Sequence, residues 1–280
     1  MDNLLDNPAI QGGVAPFVVA LVLTFLFISI PGNRDSWKGL AVFAGFLTMI
    51  LLTVGIEFQP LTSTRKIVLL SMISLALPIG FGFGSVARKR QLICYQLFAL
   101  SAVIWVLWPV LARKEDMLEA LTIAGMAGAY VGCIIFAALS LSKKNPLAAG
   151  AGISALGFTI GGSSILGASA LLGQMGIAFG AGAGAFLLVH LLRKPFGEAG
   201  ELFTFNSALV LSLVGVAAVI YATVPWIALA VSLLILVLAN IALAADQNKW
   251  LKAVIWFALC MTPGLLALYI VYSSQGSSLY

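Results

Sequence analysis

The chain has 280 residues, of which 61% are hydrophobic and only 9% are charged, and its mean hydropathy is +1.09. Soluble domains carry about 25% charged residues, so the composition excludes an ordinary soluble protein and makes the bilayer the solvent. The apolar runs are continuous rather than alternating, which favours membrane-spanning helices over a closed barrel. The net charge of +5 lies in short loops, so it indicates membrane orientation and not nucleic-acid binding.

Ten apolar runs are candidates for membrane-spanning helices, each of which needs about 20 apolar residues. In chain order they are 13–30, 39–57, 66–84, 92–112, 117–141, 147–162, 166–192, 204–222, 226–244 and 253–272. The connections are short and polar and leave no room for a soluble domain. The sequence therefore predicts one integral membrane domain, 1–280, with an all-α polytopic fold embedded in lipid.

The basic residues predict the orientation of this bundle. If successive spans cross the membrane in opposite directions, the loops fall alternately on its two sides. The side that holds the N-terminus then carries only four basic residues, Arg65, Lys66, Arg113 and Lys114, and the opposite side carries the other eleven. Basic residues concentrate on the cytoplasmic side, so both termini are expected outside, in the periplasm of a bacterium with the protein in its inner membrane. No basic residues precede the first run, which predicts a retained anchor rather than a cleaved signal peptide.

Two similar dipeptides raise the question of an internal repeat. Asn7-Pro8 begins the first span and Asn145-Pro146 begins the sixth, with glycines following each. Five spans lie between them, and an odd number would make 1–142 and 143–280 an inverted 5+5 repeat, as in some transporters. The alternative is that the two dipeptides are unrelated, because Asn-Pro is also a common start signal for a helix.

The segment 147–192 carries no charged side chain and, apart from His190, no ionisable base. Its centre, Gly161-Gly162-Ser163-Ser164, is predicted to be a turn between two spans or, alternatively, the tip of a re-entrant hairpin. The 46 residues would extend about 69 Å as helix, which favours two full crossings of a core about 30 Å thick.

Small residues at helical spacing mark two helix faces. Gly176, Gly180 and Gly184 form a ridge on the seventh span, and Gly128 and Gly132 form a similar face on the fifth. Such faces let helix backbones approach closely in lipid. We expect close packing within one protomer; the alternatives are a contact between copies, docking of another membrane subunit, or a moving helix interface.

Prolines inside two spans predict interrupted helices. Pro78 lies in the third span, and Pro263-Gly264 lies midway along the last. Proline removes a backbone donor and frees carbonyls that need other partners. These positions are candidate hinges beside a ligand site, or structural kinks alone.

Uncharged polar residues form the candidate ligand site. Gln174 is expected to face a neutral cavity, with Tyr130, Thr159, Ser163 and Ser164 as its neighbours. The alternative for each is an ordinary interhelical hydrogen bond. Glu57, at the end of the second span, is a candidate for ion or proton coupling, or else simply reaches the membrane interface.

Catalytic constellations are poorly supported. With a single histidine and three cysteines inside apolar runs, no metal site and no cofactor are predicted. Gly167-Ala168-Ser169-Ala170 resembles the serine helix of rhomboid-type intramembrane proteases. However, a glycine does not follow Ser169 directly, and His190 lies near the opposite surface. The chain is therefore not expected to be an enzyme.

The leading functional hypothesis is a transporter or facilitator of a small neutral or apolar solute. It depends on the many short-looped spans, the interrupted helices and the uncharged polar residues. The alternative is a non-catalytic subunit or scaffold of a larger membrane complex, in which the glycine faces would be docking surfaces.

Overall fold

The computed structural model describes residues 7–29, 39–55, 59–83, 87–193, 197–241 and 248–276. Within these ranges the chain is helical and contains no strand. A π-helical segment, Ile10–Val14, precedes eleven α-helices. They are α1 (Ala15–Ser29), α2 (Gly39–Thr53), α3 (Ser63–Ile73), α4 (Ala76–Phe83), α5 (Arg88–Leu111), α6 (Met117–Leu141), α7 (Pro146–Leu166), α8 (Ala170–Leu192), α9 (Glu201–Tyr221), α10 (Trp226–Ala239) and α11 (Lys249–Gly276).

Eight helical stretches among the described residues are long and apolar enough to cross a membrane. One of them, Ser63–Gly82, combines α3 and α4; two further helices, α2 and α10, are apolar but shorter. Each of the ten predicted runs overlaps one of these ten stretches. The chain is therefore a multi-pass helical membrane protein.

Side-chain caps fix several helix starts. The Leu147 amide donates to Asn145 Oδ1 at 2.9 Å, and Pro146 takes the first helical position, where its missing N–H has no helical partner to lose. Asn7 accepts from the Ala9 amide at 2.9 Å in the same way. Helix capping thus accounts for both Asn-Pro pairs without a repeat.

The centre of the bundle consists of α7, α8 and α9. In their apolar windows 78%, 72% and 89% of the residues are buried, against 33% or less in α1, α5, α6 and α11. The charge-free segment therefore lies mostly against protein, and the peripheral helices cover it from lipid.

Helices α7 and α8 pack backbone against backbone. A Cβ on Gly176 would lie 2.5 Å from the Gly161 amide nitrogen, and a Cβ on Gly157 would lie 2.5 Å from that of Gly180. No side chain larger than glycine fits at these crossings. The Ser154 hydroxyl also donates to the Gly180 carbonyl at 2.8 Å, which adds a polar contact to the packing.

The predicted turn at Gly161–Ser164 is wrong, because all four residues lie inside α7. The chain turns later, after Leu166, where the Gly167 amide still donates to the Ser163 carbonyl. In lipid every backbone group must be satisfied, and a continued helix achieves this while its glycines admit α8. The segment thus forms two long helices of 21 and 23 residues.

Both glycine faces are covered by helices of the same chain. Gly176 and Gly180 contact α7, and a Cβ on Gly184 would lie 3.4 Å from Ser154 Oγ. On α6, a Cβ on Gly128 would lie 3.0 Å from Leu100 Cδ2 of α5. The Gln96 amide of α5 donates to the Gly132 carbonyl at 3.1 Å.

Contacts at the helix ends and in the loops define two ends of the bundle. At the end where α10 begins, called the Trp226 end, Ser63 Oγ lies 2.9 Å from the Tyr221 hydroxyl. At the end where α9 begins, called the Glu201 end, the Gly200 amide donates to the Ser142 carbonyl at 2.9 Å.

Candidate functional site: a buried hydroxyl cavity

A small cavity lies among α7, α9 and α10. Its volume is about 10 Å³, close to the minimum that holds one water molecule. Three of its lining side chains carry hydroxyl groups, Thr159, Ser163 and Ser232, and we call it the hydroxyl cavity. All three are buried.

Thr159 is the least satisfied polar residue of this cavity. It is 1% exposed, and its Oγ1 has no hydrogen-bond partner among the described residues. Most buried hydroxyls on these helices donate to a carbonyl one turn earlier; Ser164, for example, donates to the Ile160 carbonyl at 2.8 Å. A buried group left without a partner costs about 1–3 kcal/mol. Thr159 is therefore held in an arrangement that a polar guest would improve.

Helix α11 packs directly against Thr159. A Cβ on Gly264 would overlap Thr159 Oγ1, so only glycine allows the backbone of α11 to lie this close. The preceding Pro263 does not interrupt the helix, which continues to Gly276. The predicted break at Pro263 is therefore absent, and Gly264 acts as a packing position instead.

A hydrogen bond between Tyr130 and Ser232 joins α6 to α10 at the edge of the cavity. The two oxygens lie 3.0 Å apart, and Ser232 Oγ donates its single proton to the Leu229 carbonyl at 2.7 Å. Tyr130 must then be the donor to Ser232. Hydrogen bonds between membrane helices contribute about 0.6 kcal/mol on average, so this one opens at small cost.

Outside this hydrogen bond lies an apolar groove between α6 and α10. Its volume is about 290 Å³, and its walls are almost entirely apolar. It extends from Trp226 to Leu233 and Cys133, and we call it the α6–α10 groove. Leu229 lines both the groove and the cavity. Tyr130 lines the groove, and its hydroxyl reaches within 3.5 Å of a Cβ built on Gly215, which lines the cavity. The Tyr130 side chain therefore separates two adjoining spaces.

The structure brings only part of the predicted site together. Thr159 and Ser163 both line the hydroxyl cavity, and Tyr130 bonds to Ser232 at its edge, whereas Ser164 bonds to its own helix. Gln174 does not line the cavity: it is half-buried on α8 against the π-helical segment, with its Cγ 3.1 Å from a Cβ built on Gly12. Glu57 lies outside the described residues.

The third span is interrupted at Ser74 and Leu75, whereas Pro78 lies inside the first turn of α4. The regular helix stops between α3 and α4, where the Leu75 amide turns to the Met72 carbonyl at 3.3 Å. The Ser71 carbonyl loses its helical partner and accepts instead from the Ser74 hydroxyl at 3.0 Å and from the Asn206 side-chain amide of α9 at 2.7 Å. The buried side chain of Asn206 on α9 therefore compensates for the helical hydrogen bond that the interruption removes.

A second freed carbonyl has a charged partner. Pro109 in α5 has no N–H to donate to the Trp105 carbonyl, and Lys66 Nζ of α3 donates to it at 2.9 Å. Lys66 is only 7% exposed. One of the four basic residues assigned to the outer loops is therefore a buried structural group.

Sequence reasoning missed an ion pair at the Glu201 end. Arg88 of α5 pairs with Glu201 of α9, and the Tyr95 hydroxyl donates to the second Glu201 oxygen at 2.8 Å. A polar cavity of about 220 Å³ lies beside it, lined by Gln91, Glu198 and Pro78 among others. Glu201 is an acidic residue at the first position of a helix, and this could have marked it as a candidate for a structural interaction.

The sequence matches no protein-family model and no curated protein. Among the described residues no three His, Cys, Asp or Glu side chains lie close enough to hold a metal ion.

Proposed function

We propose that this protein is a transporter or facilitator of a small neutral or apolar solute, and that the solute passes the hydroxyl cavity. The observation that carries the proposal is the buried, unpartnered hydroxyl of Thr159, a residue that lines a small uncharged cavity among membrane helices. A polar guest in that space would complete the hydrogen bonding of Thr159. No charged side chain lines the cavity, which favours a neutral guest.

The interrupted helices support the same proposal. The opening between α3 and α4 and the proline in α5 are each bridged by one side chain from a neighbouring helix. Hydrogen bonds between membrane helices contribute about 0.6 kcal/mol on average, so contacts of this kind can exchange partners as alternating access requires.

For orientation, we infer that the Glu201 end faces the cytoplasm of a bacterial cell and that the chain lies in the inner membrane. Arg88, Lys144 and Arg193 lie at or near that end, whereas Lys66 at the other end is buried rather than exposed in a loop. With Lys66 left out of the count, the excess of basic loop residues at the Glu201 end over the Trp226 end becomes larger.

The experiment is flux through proteoliposomes, followed by light scattering with glycerol, urea and erythritol. We expect protein-dependent flux of at least one solute and its loss in Thr159→Val, which removes the hydroxyl and keeps the shape. Ser164→Ala is the matched control, because it removes a hydroxyl of the same helix that does not line the cavity. Flux equal to that of empty liposomes for every solute would contradict the proposal. A stable partner at fixed stoichiometry in mild detergent would then favour a membrane subunit.

A further inference from the structure

An apolar groove on the surface of the bundle lies over α8, between α1 and α11, and we call it the α8 groove. Its volume is about 520 Å³, within the range of about 300–1,000 Å³ that ligand sites occupy. Apolar side chains of these three helices line it, among them Phe17, Ile177, Ala181, Leu188 and Phe257. The Ser154 hydroxyl in the lining already donates to the Gly180 carbonyl at 2.8 Å. The groove therefore offers a guest almost only contacts with hydrocarbon.

Two basic side chains lie beyond the groove at the Glu201 end of the bundle. Helix α8 ends at Leu192, one turn after Leu188, and Arg193 follows with its Cζ 4.2 Å from the centre of the Phe25 ring of α1. The Lys249 ammonium, in the first turn of α11, donates to the Arg193 carbonyl at 3.3 Å. Positive charge is therefore held both against α1 and at the start of α11, the two helices that flank the groove.

Helical register places these cations in line with the groove. Val14 lines the groove, and Phe25 follows it by 11 residues, so the two lie within about 20° of one line along the first helix. On α11 Phe257 lines the groove, and Trp250 precedes it by 7 residues, again within about 20°. Phe25 and Trp250 are both exposed. The groove-lining face of each flanking helix thus leads to the surroundings of Arg193.

The distance from the cations to the far end of the groove matches one leaflet of a bilayer. Ile177 precedes Arg193 by 16 residues on α8, which is about 24 Å at the helical rise. A bilayer with its head groups is about 40–45 Å thick, so that one leaflet measures about 20–22 Å. Trp250, beside the cations, is of the residue type that favours the level of the head groups. A phospholipid with its phosphate at Arg193 would therefore reach Ile177 with the end of an acyl chain.

Arg193 and Lys249 have no anionic partner within the described ranges of the chain. Arg88, by contrast, lies at the same end and pairs with Glu201. The Arg193 guanidinium faces an aromatic ring, and Lys249 donates to a neutral carbonyl. Basic residues at the membrane surface attract anionic head groups. The charge at this end of the groove therefore complements a lipid with a net negative head group.

We propose that the α8 groove binds one anionic phospholipid from the leaflet at the Glu201 end. An acyl chain of the lipid lies in the groove, and its phosphate group lies between Arg193 and Lys249. The inference does not depend on the proposed transport, because neither the hydroxyl cavity nor a solute takes part in it.

The head-group part of the site is tested by native mass spectrometry of the delipidated protein. Titration with dioleoyl phosphatidylglycerol or dioleoyl phosphatidylcholine gives the dissociation constant of the first bound lipid, and we expect phosphatidylglycerol to bind more tightly. Arg193→Gln and Lys249→Gln should each weaken its binding about fivefold, the contribution of one basic residue near an anionic surface, and should change phosphatidylcholine binding little. Lys143→Gln is the matched control, because it removes an exposed charge at the same end but outside the groove.

Gly13→Leu tests the apolar part of the site. The nearest atom to a Cβ on Gly13 is Ile177 Cγ2 at 4.0 Å, so the new side chain meets no backbone and would occupy the groove. We expect weaker binding of phosphatidylglycerol, whereas Gly125→Leu, which adds the same side chain in open space, should leave it unchanged. In the unsubstituted protein, phosphatidylglycerol with a diazirine at the end of its acyl chain should label Phe17 and Ile177.

Equal affinity for the two lipids would overturn the inference, as would unchanged phosphatidylglycerol binding in both Arg193→Gln and Lys249→Gln. Labelling spread evenly around the bundle, or concentrated in the α6–α10 groove, would also overturn it. A dimer that Gly13→Leu dissociates would show that a second copy of the chain occupies the groove instead of a lipid. Lipid titration and labelling need no transport, so flux measurements decide the proposed function separately.

Discussion

Gly264 and Thr159 fit together so closely that a methyl group at position 264 would overlap the threonine hydroxyl. The next atoms of Thr159 and its surroundings are much further away, with Thr159 Cβ at 3.6 Å and Ile235 Cδ1 at 3.8 Å from that methyl position. The conflict therefore involves a single atom, which makes it suitable for a double-mutant cycle.

Gly264→Ala should destabilise the protein by about 1–3 kcal/mol, the usual cost of overpacking. In a Thr159→Ala background the same change should cost much less, because the overlapping oxygen is gone. Thermal unfolding in mild detergent measures both. Gly125→Ala is the control, since nothing lies within 4 Å of its Cβ position. Equal losses in the two backgrounds would show that α11 does not contact α7 in this way.

Gly176→Ala tests the contact between α7 and α8. The new methyl group would stand 2.5 Å from a backbone nitrogen, and backbone cannot move aside as a flexible side chain can. We expect a larger loss of thermal stability than for Gly264→Ala, and reduced yield of folded protein. Gly80→Ala adds the same methyl group in open space and should leave both unchanged. An unaffected Gly176→Ala protein would place the ridge toward lipid.

Lys66 and Pro109 should show thermodynamic coupling. Lys66→Met leaves the Trp105 carbonyl unpaired, which should cost about 1–3 kcal/mol. Pro109→Ala restores the peptide N–H for that carbonyl, so Lys66→Met should cost less in this background. Chemical or thermal unfolding of the four proteins gives the coupling energy, and Lys143→Met provides an exposed lysine as control. A coupling energy near zero would mean that Lys66 does not compensate for the proline.

Membrane orientation can be tested with single cysteines in a background lacking Cys94, Cys133 and Cys260. Lys143→Cys lies at the Glu201 end and Met117→Cys, 75% exposed, at the opposite end. An impermeant maleimide added to intact cells should label position 117 only. Labelling of position 143 alone would reverse the inferred orientation.

The number and kind of helices could be predicted from the sequence, because an apolar run can be recognised without knowing which helices pack against it. The sequence was insufficient for the turn in 147–192, since two adjacent glycines mark turns in water but close helix contacts in lipid. Gly161 and Gly162 are helical because Gly173, Gly176 and Ile177 of α8, and Leu268 of α11, lie against them.

Part of the candidate site depends on contacts between helices that are far apart in the sequence, and these could not be predicted from it. Ser232 is 102 positions from Tyr130, and no local pattern joins them. The error on Gln174 was avoidable. It lies two residues before Gly176, and at about 100° per residue it points to the far side of the helix from the glycine ridge. Helical geometry alone would have removed it from the cavity.

Helix α7 is the least apolar of the eight membrane-length helices, yet it is among the most enclosed. During synthesis, before the neighbouring helices have packed against it, α7 should therefore partition into lipid less favourably than the other seven. We expect it to leave the translocation channel together with α8, as a preassembled hairpin whose glycines hide each other's peptide groups. The glycine contacts would then serve biogenesis as much as the finished structure, by delivering to the bilayer a segment that would partition poorly on its own.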